Sequence, residues 1–167
     1  MIEITTKLKS GARVDVRGQL SLPFESRQRR WLRAKLVSGE DVALRLPRGE
    51  VLRGGDLVLA SDGSAIEVVA AAEKVVHVEA ATPAELTRAA YHLGNRHVPL
   101  QVGEGFLRLA EDHVLEEMLR GLGVKITPME APFEPEIGAY SSGHHRHKDE
   151  AIAGGGKIHD SIQDHDD

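Results

Sequence analysis

The sequence contains no cysteine, few aromatic residues and no long apolar run. Without cysteine the chain can form neither disulfides nor thiolate sites for zinc or iron–sulfur clusters, so a bound metal would need imidazole nitrogen and oxygen ligands. An aromatic content of 4% means that the hydrophobic cores are mainly aliphatic. No apolar stretch approaches the roughly 18 residues of a membrane span, and the N-terminus lacks the basic-then-apolar order of a signal peptide. We therefore expect a cytoplasmic protein without membrane contact.

The histidines are concentrated in the second half of the chain. None occurs in residues 1–75, whereas four lie in residues 76–140 and five in residues 141–167. The formal net charge of −5 is also uneven, because residues 1–75 have more basic than acidic side chains and the rest of the chain has more acidic ones. Metal-ligating side chains are therefore expected after residue 75.

Short alternations of apolar and polar residues run from residue 1 to about residue 69 and predict β-strands. Glycine-containing turn sequences separate them, for example at residues 38–41 and 62–64. We therefore predict a small all-β domain over residues 1–74. Its strands are centred on Val14/Val16, Leu20/Leu22, Leu32/Ala34/Leu36, Val42/Leu44/Leu46 and Leu57/Leu59.

One predicted strand of this domain carries basic side chains around the only tryptophan. Alternation along a strand would place these residues on one face, as a basic ribbon. Such a ribbon can dock an acidic partner or a nucleic acid, but a solvated outer face is the more frequent case for a strand of this type. The ribbon consists of Arg27, Arg29, Trp31, Arg33 and Lys35.

Residues 70–74 are predicted to form a linker, after which strands and helices alternate. The expected order is strand 75–80, helix 83–93, strand 97–102, strand 106–109, helix 112–122 and strand 124–129. This is the βαββαβ order of a split ferredoxin-like domain, which we place at residues 75–140. The predicted fold class is therefore α+β.

Clear sequence signals mark the start and the end of the first helix of this domain. Thr82-Pro83-Ala84-Glu85 is a capping box with proline at the first helical position. Gly94 is predicted to end the helix in the left-handed conformation. The buried stripe is predicted to contain Leu86, Ala89, Ala90 and Leu93.

His97 lies where this helix gives way to the next strand. Val98, Leu100 and Val102 share one face of that strand, so His97 is on the opposite face and is presented to solvent. Pro99 cannot donate in a sheet, which is tolerated at an edge, and the strand after the first helix is an edge strand in the ferredoxin-like fold. An exposed edge beside a presented histidine is a natural place for two copies of the chain to meet.

The second helix of the domain is predicted to expose His113. This residue lies in the first turn, roughly opposite the apolar stripe. A helix N-terminus disfavours the imidazolium, and the neutral ring is the form that ligates a metal. The stripe is predicted to contain Val114, Leu115, Met118, Leu119 and Leu122.

Residues 141–167 have no aromatic residue and no apolar periodicity, so we predict a disordered His-rich tail. Its first histidines are His144, His145 and His147. Histidines among acidic residues are typical of metal capture. The alternatives are a purification tag, which the irregular spacing disfavours, and a simply solvated tail; metal capture is favoured over both.

Three segments of the second half are distinctive in combination. They are Tyr91-His92-Leu93-Gly94-Asn95-Arg96-His97-Val98-Pro99-Leu100, then Asp112-His113-Val114-Leu115-Glu116-Glu117-Met118-Leu119, then Phe133-Glu134-Pro135-Glu136 before the His-rich tail. Together they resemble the urease accessory nickel metallochaperones of the UreE family. Leu46-Pro47-Arg48-Gly49 and Leu52-Arg53-Gly54-Gly55-Asp56 fit the first domain of that family, so the resemblance covers nearly the whole chain.

The resemblance implies a β-rich N-terminal domain that binds a peptide or a partner, a ferredoxin-like metal domain and a head-to-head homodimer. It also implies delivery of Ni²⁺ to the urease assembly complex through a GTPase partner. By the same resemblance, His97 is the nickel ligand at the dimer interface, one from each subunit, and His113 belongs to a secondary site.

The secondary site differs from that of some relatives. They have another histidine two residues before the position of His113, where this chain has Glu111. A carboxylate is less selective for Ni²⁺ than an imidazole. Further candidate ligands are His144, His145 and His147 in the tail, and Zn²⁺ and Cu²⁺ are other metals that imidazoles bind.

Two other classes of function are weaker alternatives. An RNA-binding module would need stacking aromatic side chains on the central strands of the βαββαβ unit, and those strands offer only Phe106. A metal-dependent hydrolase would need a general base in a pocket, and the chain has neither a His-Glu-x-x-His motif nor a phosphate-binding loop. We therefore expect metal delivery rather than enzymatic activity or nucleic-acid binding. His77 and His92 stay open between a structural and a ligating role.

Overall fold

The computed structural model describes residues 1–138, whose first half is built around one six-stranded sheet. The strand order is β2-β6-β5-β1-β4-β3. The pairs β1–β4 and β2–β6 are parallel and the others are antiparallel. The elements are β1 (Ile2–Lys7), β2 (Val16–Leu22), α1 (Phe24–Arg27), β3 (Trp31–Lys35), β4 (Asp41–Arg45), β5 (Leu57–Ala60) and β6 (Ala65–Ala70).

The two edges of this sheet approach each other. The backbone N–H of Val37, just after β3, donates to the carbonyl of Gln19 in β2 at 2.9 Å. The sheet therefore curls around an aliphatic core that includes Ile4, Leu20 and Leu44. This confirms the predicted all-β N-terminal domain.

The second half has the predicted βαββαβ order. Its sheet runs β10-β7-β9-β8, with every neighbouring pair antiparallel, which is the ferredoxin-like arrangement. The strand after the first helix of this domain lies at an edge, as expected. The elements are β7 (Ala72–Glu79), α2 (Pro83–Asn95), β8 (Gln101–Gly103), β9 (Phe106–Ala110), α3 (His113–Gly121) and β10 (Lys125–Pro132).

Helices α2 and α3 pack on one face of this sheet, in a cluster with Val76 and Val78. The predicted α2 stripe is confirmed, with Ala89 and Leu93 fully buried. The α3 stripe is confirmed at Leu115 and Leu119 but wrong at Val114, which is 66% exposed. None of the helices in the described part of the chain combines the length and apolar content needed to span a membrane.

The linker prediction for residues 70–74 was wrong. Residues 72–74 belong to β7 and pair with residues 130–132 of β10, and Ala71 donates to the carbonyl of Leu22 at 3.0 Å. The small side chains of three successive alanines suggested a flexible connection, but their backbone is hydrogen-bonded. The predicted tail, residues 141–167, lies outside the described residues.

The basic ribbon is shorter than predicted. Trp31, Arg33 and Lys35 do lie exposed on one face of β3. Lys35 donates to Asp41 at 2.7 Å, and this hydrogen bond holds the pKa of Asp41 below its ordinary value. Arg27, however, lies in α1 and is fully buried. The prediction failed here because α1 and the residues after it interrupt the strand pattern before Trp31.

Candidate metal centre

His97 stands at the C-terminal end of α2 in the left-handed conformation, with φ 55°. Its N–H donates to the carbonyl of Gly94 at 3.0 Å, and the N–H of Val98 donates to Leu93 at 3.5 Å. These two bonds form a Schellman motif, in which the left-handed position is usually glycine. The sequence prediction placed the left-handed stop at Gly94, three residues too early; Gly94 is still helical.

The left-handed conformation costs an L-residue roughly 1–2 kcal/mol, because its Cβ approaches the following carbonyl oxygen. Histidine is among the residues that tolerate it better than most, but glycine avoids the cost. Within residues 1–138 the His97 ring has no hydrogen-bond, ion-pair or ring partner. The backbone therefore gives no reason for an imidazole here, and strain of this kind points to a function.

The residues after His97 hold it at the surface. Val98 and Leu100 are half-buried and pack on the α2–α3 core, whereas His97 and Pro99 are exposed. The predicted exposure of His97 is confirmed, but Val102, which was predicted on the apolar face with Val98 and Leu100, is itself exposed. The strand itself begins only at Gln101, because the helix cap occupies the residues in which the strand was expected to start.

A groove of about 460 Å³ lies beside His97. Its rim includes two exposed apolar side chains, Val102 at 54% and Ile137 at 45% exposure. Exposed apolar side chains next to an edge strand are typical of a protein-binding surface. The groove is lined by Phe24, Gln28, Val51, His97, Val98, Pro99, Leu100, Val102, Glu136, Ile137 and Gly138.

His113 is the first residue of α3 and is exposed. The N-cap residue Asp112 accepts hydrogen bonds from the backbone N–H groups of Val114 and Leu115 at 2.9 and 3.0 Å, which fixes this helix end. Glu111 is exposed beside it. The exposed position predicted for His113 is thus confirmed, while its ligation of a metal stays a prediction.

In residues 1–138 no group of three or more histidine and carboxylate side chains is arranged to hold a metal ion. His97 and His113 lie on different elements, and residues 1–138 of a single chain do not complete a site around either of them. The tail candidates His144, His145 and His147 lie outside the described residues, so their ligation also stays a prediction.

His77 has structural partners that the sequence did not reveal. Arg108 donates from Nε to His77 Nδ1 at 3.2 Å, and the His77 ring stacks on Phe106 with centroids 4.8 Å apart. A side chain at Gly103 would collide with the same phenylalanine ring. His77 and the backbone at Gly103 both lie against the Phe106 ring. Phe106 therefore does not provide the open stacking surface that an RNA-binding module needs.

His92 is half-buried on α2, and its ring meets that of Tyr91 edge-on with centroids 5.4 Å apart. The two histidines that the sequence left open, His77 and His92, thus both have packing partners. His97 differs from them in having an exposed ring without a partner in the described part of the chain.

Both halves of the chain match known protein domains. Residues 3–71 match the family described as UreE urease accessory protein, N-terminal domain, and residues 73–166 match the corresponding C-terminal domain family. The chain belongs to the UreE family of urease accessory proteins. The family resemblance inferred from the sequence is thereby confirmed.

Relatives named urease accessory protein UreE come from several bacteria. That of Nitrosospira multiformis is 49% identical over 154 residues, which are 92% of this chain and 86% of the relative. That of Azotobacter vinelandii is 51% identical over 82% of this chain and 83% of the relative. That of Cupriavidus pinatubonensis is 55% identical, and the match covers 81% of this chain but 61% of that longer relative.

Proposed function

We propose that this UreE-family protein is a nickel metallochaperone. Two chains form a homodimer across the groove beside His97, and the two His97 side chains bind one Ni²⁺ ion between them. The ion is cargo, to be donated during assembly of the urease metallocentre in the cytoplasm. The partners in this proposal are the urease assembly complex and its GTPase accessory protein.

The observation that carries the proposal is the His97 ring itself, exposed and held at a left-handed helix end where glycine would fit better. Imidazole is a ligand that suits Ni²⁺, Zn²⁺ and Cu²⁺, and two imidazoles leave coordination positions open. A carrier needs such exchangeable positions, because a closed set of protein ligands would retain its metal. One imidazole per chain is therefore useful only if a second chain supplies another.

The apolar side chains around His97 support the dimer. Val102 is in the strand at the outer edge of the sheet, Ile137 lines the same groove, and both are about half exposed in the single chain. Burying apolar area at this edge would stabilise association and would bring the His97 side chains of two copies together. His113 and the tail histidines are assigned to weaker, additional metal binding.

The test is calorimetric titration of the metal-free protein with Ni²⁺, for the wild type and for His97→Ala and His113→Ala. In the dimer His97→Ala removes two imidazoles from one site, so we expect the tightest binding to weaken at least about 100-fold. His113→Ala should keep the tightest binding and lose only weaker binding. Unchanged tight binding in His97→Ala would overturn the assignment.

Light scattering on the same samples tests the dimer. We expect the mass of two chains for the wild type, and for His97→Ala as well, since apolar contacts rather than the metal are proposed to hold the chains together. A single-chain mass at all concentrations, with and without Ni²⁺, would contradict the shared site.

A further inference from the structure

The groove beside His97 is not formed by the metal domain alone. Phe24, Gln28 and Val51 of the N-terminal domain line one side of it. The chain between β10 and the end of the described residues, which we call the connecting segment (residues 133–138), lines another side. The N-terminal domain therefore shapes the surroundings of His97, although it contributes no histidine.

Arg27 joins the two domains at this point. Its fully buried guanidinium donates to the carbonyls of Leu22 and Leu52 in its own domain, each at 3.1 Å. It also donates to the carbonyl of Phe133 and to the carboxylate of Glu134 in the connecting segment. Nε, Nη1 and Nη2 are thus all engaged, in a planar fork that a lysine ammonium cannot reproduce.

Further contacts hold the connecting segment against the N-terminal domain. Arg53 donates to the carbonyl of Pro135 at 2.5 Å, and the Gly54 N–H points at the Glu134 carboxylate at 3.4 Å. The rings of Phe24 and Phe133 meet edge to face with centroids 5.7 Å apart. The segment is therefore fixed on this side by both charge and packing.

The other side of the connecting segment is bonded to the chain just after His97. The Glu136 N–H donates to the carbonyl of Leu100 at 2.8 Å, and the Glu134 N–H donates to Gln101 Oε1 at 3.0 Å. The side chain of Glu134 thus accepts the hydrogen bond from Arg27, and its backbone N–H donates to Gln101 in β8. A displacement of Glu134 would be passed to β8 through its own bond to Gln101, and to the loop that carries His97 through the bond from Glu136 to Leu100.

We propose that Arg27 is a positioning residue for the nickel site: it acts through Glu134 to hold the connecting segment as the groove wall and so fixes the loop that presents His97. This inference rests on the proposed function. It goes beyond it because it gives a residue of the N-terminal domain a role in nickel affinity without any contact with the metal.

The main test is Arg27→Lys, which keeps the positive charge but loses the fork. Groups that orient a metal ligand from outside typically change affinity 10–100-fold, so we expect the tightest Ni²⁺ binding to weaken about 10-fold with unchanged stoichiometry. The ligand-field absorption bands of bound Ni²⁺ should shift as well, which a merely structural loss of stability would not cause.

The matched control is Arg17→Lys. Arg17 is another arginine that joins distant segments, here through the carboxylates of Glu40 and Asp62, but it lies on the surface of the N-terminal domain and does not line the groove. It should leave nickel affinity and spectrum unchanged. Urea unfolding of both variants separates a loss of stability from a loss of positioning.

Glu134→Gln is the second variant, and it decides the question if Arg27→Lys does not fold. It replaces the carboxylate that receives Arg27 with a neutral amide of nearly the same shape, and a similar weakening of nickel binding is expected. In a His97→Ala background, neither change should weaken the remaining nickel binding further, because the ligand through which Arg27 acts is already absent.

Two results would overturn the inference: wild-type affinity and spectrum in both variants, or an equal loss in Arg17→Lys. These results are distinct from a failure of the proposed function. If His97→Ala loses tight nickel while Arg27→Lys and Glu134→Gln keep it, only the positioning role is wrong. If His97→Ala keeps tight nickel, the proposed function is wrong.

Discussion

The two helices of the ferredoxin-like domain are each followed by a left-handed residue, but the residues differ. At the end of α3, Gly123 is left-handed with φ 79°, and its N–H donates to the carbonyl of Arg120 at 3.0 Å. At the end of α2, His97 is left-handed with φ 55°, and its N–H donates to Gly94 at the same distance. One domain thus uses glycine and histidine at the same left-handed position.

The difference shows that the residue at position 97, unlike that at position 123, is explained by its side chain and not by its backbone conformation. A Cβ at Gly123 would meet nothing within 4 Å, so glycine is needed there only for its backbone conformation. At His97 the chain accepts the backbone cost and exposes an imidazole that has no partner in the described part of the protein. α3 ends as local preference dictates, and α2 ends as the proposed nickel site requires.

The largest stability effect is expected at the glycine end of the comparison. Gly123→Ala should lower the free energy of unfolding by about 1–2 kcal/mol, the cost of a left-handed L-residue, since no steric contact adds to it. Urea unfolding of the metal-free protein measures this. A change below a few tenths of a kcal/mol would show that this helix end relaxes, and it would break the comparison.

A smaller effect of the opposite sign is expected at the histidine end. Metal-free His97→Gly should be about 1 kcal/mol more stable than His97→Ala, because glycine relieves the left-handed strain but is more flexible in the unfolded chain. Both variants lack the imidazole, so both should lose the tightest nickel equally.

This pair therefore separates the backbone at position 97 from the ligand. If glycine and alanine gave the same unfolding free energy, the strain at this helix end would be negligible, and the argument from backbone cost would fail. If the glycine variant kept tight nickel, the ligand would lie elsewhere.

The sequence predicted where α2 begins better than where it ends. The capping box formed as expected, with Thr82 and Glu85 bonded to each other's backbone, because a cap depends on residues four positions apart at most. Gly94 was chosen as the stop because glycine is the usual left-handed residue. The left-handed stop instead falls at His97, where Leu93 and Val98 pack in the same cluster. This apolar pair five positions apart is a local signal of the Schellman motif, and the prediction gave more weight to the glycine.

Arg27 was misplaced for a different reason. An alternation of arginines before Trp31 predicted an exposed ribbon, and local patterning cannot distinguish a solvated arginine from one whose partner is distant. Its partner Glu134 is 107 positions away, so only the assembled domains show that the two residues meet. The groove beside His97 was missed with it, because residues of both domains line it.

The smallest effect is expected from deletion of residues 142–167. All three hydrophobic clusters of the described structure are complete by Phe133, so the unfolding free energy should change by less than about 0.5 kcal/mol, as for surface changes generally. The number of bound Ni²⁺ ions should fall, because five of the nine histidines are removed, while the tightest ion should remain on His97. Urea unfolding and calorimetric titration of the shortened chain measure the two quantities.

A marked loss of stability would mean that residues 142–167 pack on the domain, so the two helix ends would have to be compared in the full chain only. Loss of the tightest ion would mean that the deleted histidines complete the site at His97. Each chain would then contribute more than one imidazole to that site, and the left-handed strain at His97 would position only one ligand of the set.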